Sequence, residues 1–337
     1  MQAGDVNLNL SDWYKPNIDK KLLKELSKRS DWKGMRHVII FFSVLFLSGY
    51  LTVLTWGTWW GVLNLLIYGN IYYCCVNIQH ETNHQTFFKS KWLNKLFYNI
   101  VCIMGSFEQH RFKWSHFHHH SYTISTKVED YDYENNTPRP TEPIRFLVNF
   151  LPLGPILNIQ KLRHFTQIEI IRHALGFISP VIKMSVPKSE ISKVKMWSRV
   201  HVLFWFFAVL LSFYFQSWLP VLMFVLVPFY GNTLELLMGL TQHAGLEENV
   251  KDHRRSSRTV IFNPILSFLY CHMEYHVEHH IFPKIPCYNL KKLREHIKNE
   301  LPIASKGLWS AYREIIPAIF KQSKDKNYFI EVKLPIR

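Results

Sequence analysis

The sequence predicts an all-α integral membrane protein: four transmembrane helices form two hairpins, and a cytosolic helical cap holds a metal site. Two observations predict this fold. The chain of 337 residues contains two long apolar blocks. Its eighteen histidines crowd into short clusters placed next to those blocks rather than spreading evenly along the chain. We therefore expect one folded unit in which the membrane helices carry the histidines to a common site.

The apolar blocks are long enough for two pairs of membrane-spanning helices. No charged side chain lies between Arg36 and Glu81, and the block 202–240 contains a single acid, Glu235. A helix of about 20 residues crosses the hydrocarbon core of a bilayer. Each block breaks at turn-forming residues, near Gly57 and Pro220. The predicted spans are 37–56, 58–79, 200–216 and 219–240.

Charge predicts the orientation of these spans. The segment before the first span is rich in lysine and arginine, whereas the turns on the opposite side contain neither. Basic flanks stay in the cytoplasm, so we expect a multi-pass membrane protein with both termini and the active site cytoplasmic. The net charge of +15 then reflects this bias and contact with anionic headgroups of membrane lipids, not nucleic-acid binding. The predicted parts are a basic interfacial arm (1–36), a membrane and catalytic domain (37–300) and a basic tail (301–337).

The histidine clusters have the spacing of metal ligands on helices. They comprise one HxxxH motif, two HxxHH motifs and one further histidine after the last span. Residues at i, i+3 and i+4 share a helix face, so we expect the imidazoles of each cluster to point at one place. Nine histidines are too many for one tetrahedral zinc and suit two metals that accept imidazole. The nine are His80, His84, His116, His119, His120, His243, His276, His279 and His280.

The flanking residues make a family resemblance specific. The segments WSHFHHH (114–120), LTQHAGL (240–246) and MEYHVEHHIFP (273–283) resemble bacterial members of the membrane fatty acid desaturase/hydroxylase superfamily, over about residues 38–300. This resemblance implies a location in the bacterial inner membrane. The resemblance implies that the nine histidines hold two non-haem iron ions and that O2 is a co-substrate. Because the chain has no haem-binding or iron–sulfur motif of its own, electrons would come from a separate ferredoxin, rubredoxin or cytochrome. His272 departs from the family pattern, which has asparagine there.

The expected function is O2-dependent desaturation of a fatty acyl lipid, and three alternatives stay open. Hydroxylation or oxidative demethylation, on a lipid or a smaller polar molecule, would use the same ligands. Residues 80–84 also read HExxH, the signature of a zinc protease with Glu81 as general base, but no Asp-Gly dipeptide follows to supply a third ligand. A non-catalytic haem or metal transporter would need histidines but not two HxxHH motifs.

Glu235 is the predicted catalytic residue outside the histidine motifs. An ionisable group at membrane depth is costly and marks a functional site by default, although a helix–helix hydrogen bond would also explain it. It precedes His243 by eight positions, which places both on one face of a continuous helix. His118 and His272 are further candidate ligands, and His110 and His253 lie near the motifs. Candidate acceptors for the outer nitrogens of the ligands are Glu81, Glu108, Asp130, Asp132, Asp252, Glu274 and Glu278.

Overall fold

A computed structural model describes residues 13–127, 131–134, 143–148, 150–152 and 166–335, and within these ranges the protein is mostly helical. Asp130 and most of the polar, proline-rich stretch 127–143, which the sequence predicts to be a loop, lie outside the described residues. The α-helices are α1 (Lys20–Leu26), α2 (Asp31–Leu54), α3 (Trp59–Tyr73), α4 (Cys75–Asn83), α5 (Lys91–Gly105), α6 (Gln109–Ser121), α7 (Pro143–Val148), α8 (Thr166–Ala174), α9 (Pro180–Ser185), α10 (Ile191–Tyr214), α11 (Leu219–Phe224), α12 (Val227–Tyr230), α13 (Thr233–Gly239), α14 (His253–Ser256), α15 (Pro264–Leu269), α16 (His276–Ile281), α17 (Cys287–Ile297) and α18 (Gly307–Lys324).

Three helical stretches of the described chain are long and apolar enough to cross a membrane. They are Asp31–Leu54, Trp59–Asn83 and Lys188–Tyr214, close to the first three predicted spans. The predicted tight turn between the first two is present: Gly57 adopts φ +88°, a left-handed conformation that glycine tolerates best. Thr58 then caps α3 by accepting a hydrogen bond from the Gly61 N–H.

The fourth predicted span, 219–240, is not one helix but the three short helices α11, α12 and α13. Pro220 and Pro228 each lie in the first turn of a new helix, where the missing proline N–H is tolerated. In the middle of a continuous helix, a proline would remove a backbone hydrogen bond and break the helix. The interrupted segment is in close contact with α3. A Cβ on Gly231 would lie only 2.3 Å from the Gly69 carbonyl oxygen, so α3 and this segment meet backbone to backbone.

Both ends of the described chain pack onto the same unit as the membrane helices. In α1 the buried Leu26 lies against α17, where Asn289 donates to its carbonyl oxygen at 2.7 Å. A two-stranded parallel sheet, β1 (Val260–Ile261) with β2 (Ser305–Lys306), leads into α18. The Tyr312 hydroxyl of α18 donates to the Leu237 carbonyl oxygen in α13 at 2.8 Å. The segment predicted as a tail thus contributes part of the core.

Candidate metal centre

All nine predicted ligands come together in space. His80 lies near the end of α4 and His84 directly after it, whereas α6 and α16 each carry an HxxHH motif and His243 lies in the turns after α13. The ring nitrogens form two compact groups, each with its ligand atoms within 4.8 Å of one another. The five-histidine group consists of His80, His84, His116, His120 and His279, and the four-histidine group of His119, His243, His276 and His280.

Each HxxHH motif contributes to both groups. On α6, His116 and His120 belong to the five-histidine group and His119 to the other. On α16 the assignment is reversed, since His279 joins the five-histidine group. Neighbouring residues project about 100° apart around a helix, so adjacent histidines diverge to two sites while the i, i+4 pair stays together. The expectation that each cluster points at one place is therefore wrong for both HxxHH motifs.

The imidazoles converge through their Nε2 atoms. In the five-histidine group the Nε2–Nε2 distances are 2.8 Å for His80–His279, 2.8 Å for His84–His116, 3.1 Å for His116–His120 and 3.2 Å for His120–His279. In the four-histidine group they are 2.9 Å for His243–His276 and 3.0 Å for His276–His280. The His119 ring lies 5.0 Å from that of His243 and 4.8 Å from that of His280, centroid to centroid.

The outer Nδ1 atoms of four ligands contact acceptors that fix the rings. In the five-histidine group, His116 contacts Glu134 at 2.6 Å. In the four-histidine group, His119 contacts Asp132 at 2.8 Å, His243 the Ser256 carbonyl oxygen at 2.8 Å and His280 the Thr123 hydroxyl at 3.2 Å. Such contacts orient a metal-binding imidazole and raise its basicity. Asp132 was among the predicted acceptors. Glu134 was missed, although its position two residues after Asp132 in an acidic stretch was a usable signal.

This donor set fits a metal ion in each group. An imidazole that donates from Nδ1 keeps a lone pair on Nε2. His116 donates to Glu134, so its Nε2 lone pair faces the Nε2 atoms of His84 and His120 at 2.8 and 3.1 Å. The same holds for His243 in the other group. Where the Nε2 atom that faces it also carries a lone pair, the two lone pairs repel each other, and a bound cation would remove the repulsion.

The protonation of the rings agrees with metal binding. Burial and the neighbouring histidines lower the pKa of most ligands, so the rings are neutral at physiological pH; this is the case for His84, His120, His243, His276, His279 and His280. His119 is the exception: burial lowers its pKa, but Asp132 and Glu134 outweigh burial and raise it to about 9. Because the neutral form binds metals, a metal must displace a proton from His119.

Glu235 belongs to neither group. Its Oε2 accepts a hydrogen bond from the Asn77 Nδ2 at 2.8 Å, which joins α13 to α4. The expectation that Glu235 and His243 share one helix face is wrong, because α13 ends at Gly239 and His243 lies in the following turns. The observed contact is the helix–helix hydrogen bond that the sequence left open as the alternative.

The other candidate histidines also lie outside both groups. His118 packs against Tyr133 with ring centroids 5.0 Å apart, and His272 contacts the Ser267 hydroxyl through Nδ1 at 2.8 Å. His110 contacts Glu190 at 2.6 Å. His253 approaches the centre most closely: its ring centroid lies 4.9 Å from that of the ligand His280.

The remaining predicted acids serve local structure in the described chain. Glu108 caps α6 by accepting from the His110 and Arg111 N–H groups; Asp252 caps α14 and pairs with Arg254. Glu274 accepts from the Ser267 hydroxyl, and Glu278 pairs with Arg294 and accepts from the Thr259 hydroxyl. Glu81 accepts from the Thr86 hydroxyl at 3.2 Å and the Cys287 N–H at 3.3 Å. A general base of a zinc protease would need to lie at the metal, and Glu81 is held among these contacts instead.

The family model for fatty acid desaturases matches residues 54–312, which is well over half of the chain. The chain belongs to the fatty acid desaturase family. No match was found among the curated proteins. Membership in the fatty acid desaturase family indicates an oxidoreductase of the desaturase/hydroxylase type, a lipid substrate in general terms and a partner that supplies electrons. Together with the three apolar helices, it indicates a membrane protein.

Proposed function

We propose that this protein is an O2-dependent, di-iron desaturase of a fatty acyl lipid. The observation that carries the proposal is the division of nine buried or half-buried histidines into two separate groups, which provides ligands for two ions. Bound iron would supply O2 activation for removal of hydrogen from an unactivated C–H bond. In the overall reaction the acyl chain loses two hydrogen atoms to form a double bond, and O2, with two protons and two electrons from an external donor, becomes two water molecules.

The protein's own contribution is to fix the ligands and keep the centre dry. Asp132 and Glu134 each accept the Nδ1 proton of one α6 histidine, and so each orients a ligand of a different group. The rings of His116, His119 and His276 are almost completely buried. Burial to this degree would keep bulk water away from a metal held by these histidines.

The geometry also supports a fourth membrane crossing. The helix α10 begins beside α6, where the Trp114 indole N–H donates to Glu190 at 2.9 Å, and its 24 residues extend about 36 Å. His243 nevertheless lies beside His119, so residues 215–243 must return over a similar distance. We propose that α11, α12 and α13 make this return as a broken span, which places the metal centre and both termini on the cytoplasmic face.

An apolar cleft supports an acyl substrate rather than a small polar one. It has a volume of about 1250 Å³ and lies between α2 and the α10–α11 hairpin. Almost all of its lining side chains are aromatic or aliphatic, including Phe42, Phe204 and Met223. Along α2 it extends from Ile39 to Val53, about 21 Å, which suits an extended hydrocarbon chain.

Metal analysis of the purified protein tests the proposal. We expect two irons per chain, spin-coupled in Mössbauer spectra, in protein purified in detergent after expression with iron. His116→Ala and His276→Ala should each lose iron, because each removes a ligand of one group. His272→Ala is the matched control: this histidine is also near the motifs but outside both groups, so its iron content should equal that of the unchanged protein.

Lipid profiles of expressing cells then test the reaction. New double bonds in acyl chains, absent with His276→Ala, would support desaturation, whereas hydroxylated products would favour the alternative chemistry. One zinc per chain without iron, retained in His116→Ala, would contradict the proposal and favour a metalloprotease.

A further inference from the structure

A stack of aromatic rings connects the amino-terminal arm with the four-histidine group. The indole of Trp13 lies parallel to the imidazole of His253, with ring centroids 4.1 Å apart and planes 9° apart. The His253 ring also lies close to that of His280, a candidate ligand, with ring centroids 4.9 Å apart and planes tilted by 37°. His253 is buried, whereas Trp13 is half-buried. Two residues that are 240 positions apart in the sequence thus bridge the outside of the protein and a candidate metal ligand.

Several contacts hold the arm in this position. The Tyr14 hydroxyl donates to Glu300 Oε2 at 2.5 Å, and the Asn17 N–H donates to Oε1 of the same carboxylate at 2.9 Å. The Arg254 guanidinium lies 3.1 Å from the centroid of the Tyr14 ring, a cation–π contact. Trp13 is therefore fixed against His253 by its neighbours rather than by the stack alone.

Hydrogen bonding does not explain why a histidine occupies position 253. Its Nδ1 is buried without a hydrogen-bond partner among the described residues, and His253 belongs to neither metal group. Its ring packs against those of Trp13 and His280. A buried polar atom without a partner is costly. The contacts of the ring with Trp13 and His280, and not a hydrogen bond of Nδ1, therefore distinguish this histidine.

The surface next to Trp13 carries positive charge. Lys15 is exposed two residues along the chain, and the Tyr14 N–H donates to the carbonyl oxygen of the exposed Lys251. Two of the nearby acids are paired with arginines: Asp252 with Arg254 at 2.7 Å, and Glu247 with Arg255 at 2.5 Å. A protein partner with an acidic surface would be attracted to this region and oriented on it.

We propose that Trp13 and His253 form the entry path for electrons to the four-histidine group, and that a small acidic one-electron carrier protein docks over Trp13 between Lys15 and Lys251. This inference rests on the proposed function, since it requires iron in the centre. In each transfer the reduced carrier loses one electron and one ferric ion becomes ferrous; no bond forms or breaks. Two transfers reduce both ions. Electron tunnelling weakens steeply with the gap between rings, and this stack leaves only van der Waals gaps.

Stopped-flow reduction kinetics test the path. The full-length, iron-loaded protein is mixed without oxygen with reduced plant-type [2Fe–2S] ferredoxin and, separately, with dithionite. We expect Trp13→Leu to slow reduction by ferredoxin at least tenfold, and Trp13→Phe, which keeps an aromatic ring, to slow it less than threefold. Reduction by dithionite, a small reductant that needs no docking surface, should be unchanged in both variants. A merely structural role of Trp13 would not separate the two reductants.

A binding measurement tests the docking surface independently of turnover. We expect Lys15→Glu together with Lys251→Glu to weaken ferredoxin binding at least tenfold in isothermal titration, and Lys324→Glu, at the end of α18, to leave it unchanged. Equal ferredoxin reduction rates in the unchanged protein and Trp13→Leu would overturn the path. Iron content, measured first together with Mössbauer spectroscopy, separates this failure from failure of the di-iron proposal. If the protein holds two irons and the rates are equal, only the path is refuted. If it holds no iron, the proposed function is refuted.

Discussion

Replacing Asp132 with asparagine should weaken metal binding in one histidine group far more than in the other. The Asp132 side chain is fully buried, and its Oδ2 contacts His119 Nδ1 at 2.8 Å and accepts from the Ile124 N–H at 2.9 Å. Asparagine has the same shape but no charge. With its oxygen in the place of Asp132 Oδ2, the imidazole keeps only a neutral acceptor, and the amide NH2 then faces the Glu134 N–H that Oδ1 accepts in the unchanged protein. Removing such a contact behind a metal ligand typically lowers metal affinity about 10- to 100-fold, or about 1.4–2.7 kcal/mol.

The assay is titration of metal-free protein with Co2+, followed by its absorption in the visible range, with both sites fitted separately. We expect Asp132→Asn to weaken the four-histidine site by this factor and the five-histidine site by less than threefold. Glu134→Gln should show the reverse, because Glu134 contacts His116. Its effect should be smaller, since the Glu134 side chain is 31% exposed and water can replace it. Asp19→Asn, in an exposed helix cap, is the control for loss of a carboxylate.

The result that would refute the reasoning is an equal loss at both sites in Asp132→Asn. Asp132 Oδ1 also accepts from the Glu134 N–H at 3.0 Å, so a general collapse of this segment would affect both groups. No loss at either site would show that the contact with His119 does not support metal binding.

Three further predictions concern residues away from the ligands. Glu235→Gln can keep the contact with its amide partner, so if the carboxylate acts on substrate, turnover should fall at least tenfold with iron content unchanged; unaltered turnover would exclude that role. Gly231→Ala should lower thermal stability by about 1–3 kcal/mol through its clash with Gly69, whereas Gly57→Ala, which meets no atom within 4 Å but has positive φ, should cost about 1 kcal/mol. Burial raises the pKa of Glu108 from 4.5 to about 8, so the folded state retains a proton that the unfolded state loses. The contribution of Glu108 to stability should therefore fall as pH rises from about 4.5 to 8. The difference in thermal stability between the unchanged protein and Glu108→Gln, measured across this pH range, should follow that slope.

The convergence of the nine histidines was predictable from the sequence because metal binding demands particular residue types at particular helical spacings. The division into groups was not, because it depends on how α6 and α16 face each other. His119 and His120 are neighbours in the chain yet belong to different groups. Only the relative orientation of two helices far apart in sequence decides which ring meets which.

The fourth span shows the opposite limit. Hydropathy correctly marks 219–240 as apolar, but it carries no information on backbone continuity. Pro228 and the contact between Gly231 and Gly69 interrupt the helix. Glu134 was missed for a related reason: it lies in a polar stretch without periodicity, and its contact with His116 depends on how that stretch folds back along α6.

The alternation of histidines on α6 and α16 has a mechanical consequence. Because adjacent residues of one helical turn supply different groups, the backbone of that turn links the two sites and fixes the distance between the Cα atoms of their histidines. Both α6 and α16 contain such a link. In α6 the i, i+4 pair belongs to the five-histidine group, whereas in α16 it belongs to the four-histidine group. Unless a turn of α6 or α16 unwinds, the separation of the two sites can therefore change only by as much as rotation of the histidine side chains allows. The helical turns thus limit the spacing between the two sites, and the contacts of the rings with Asp132 and Glu134 narrow it further.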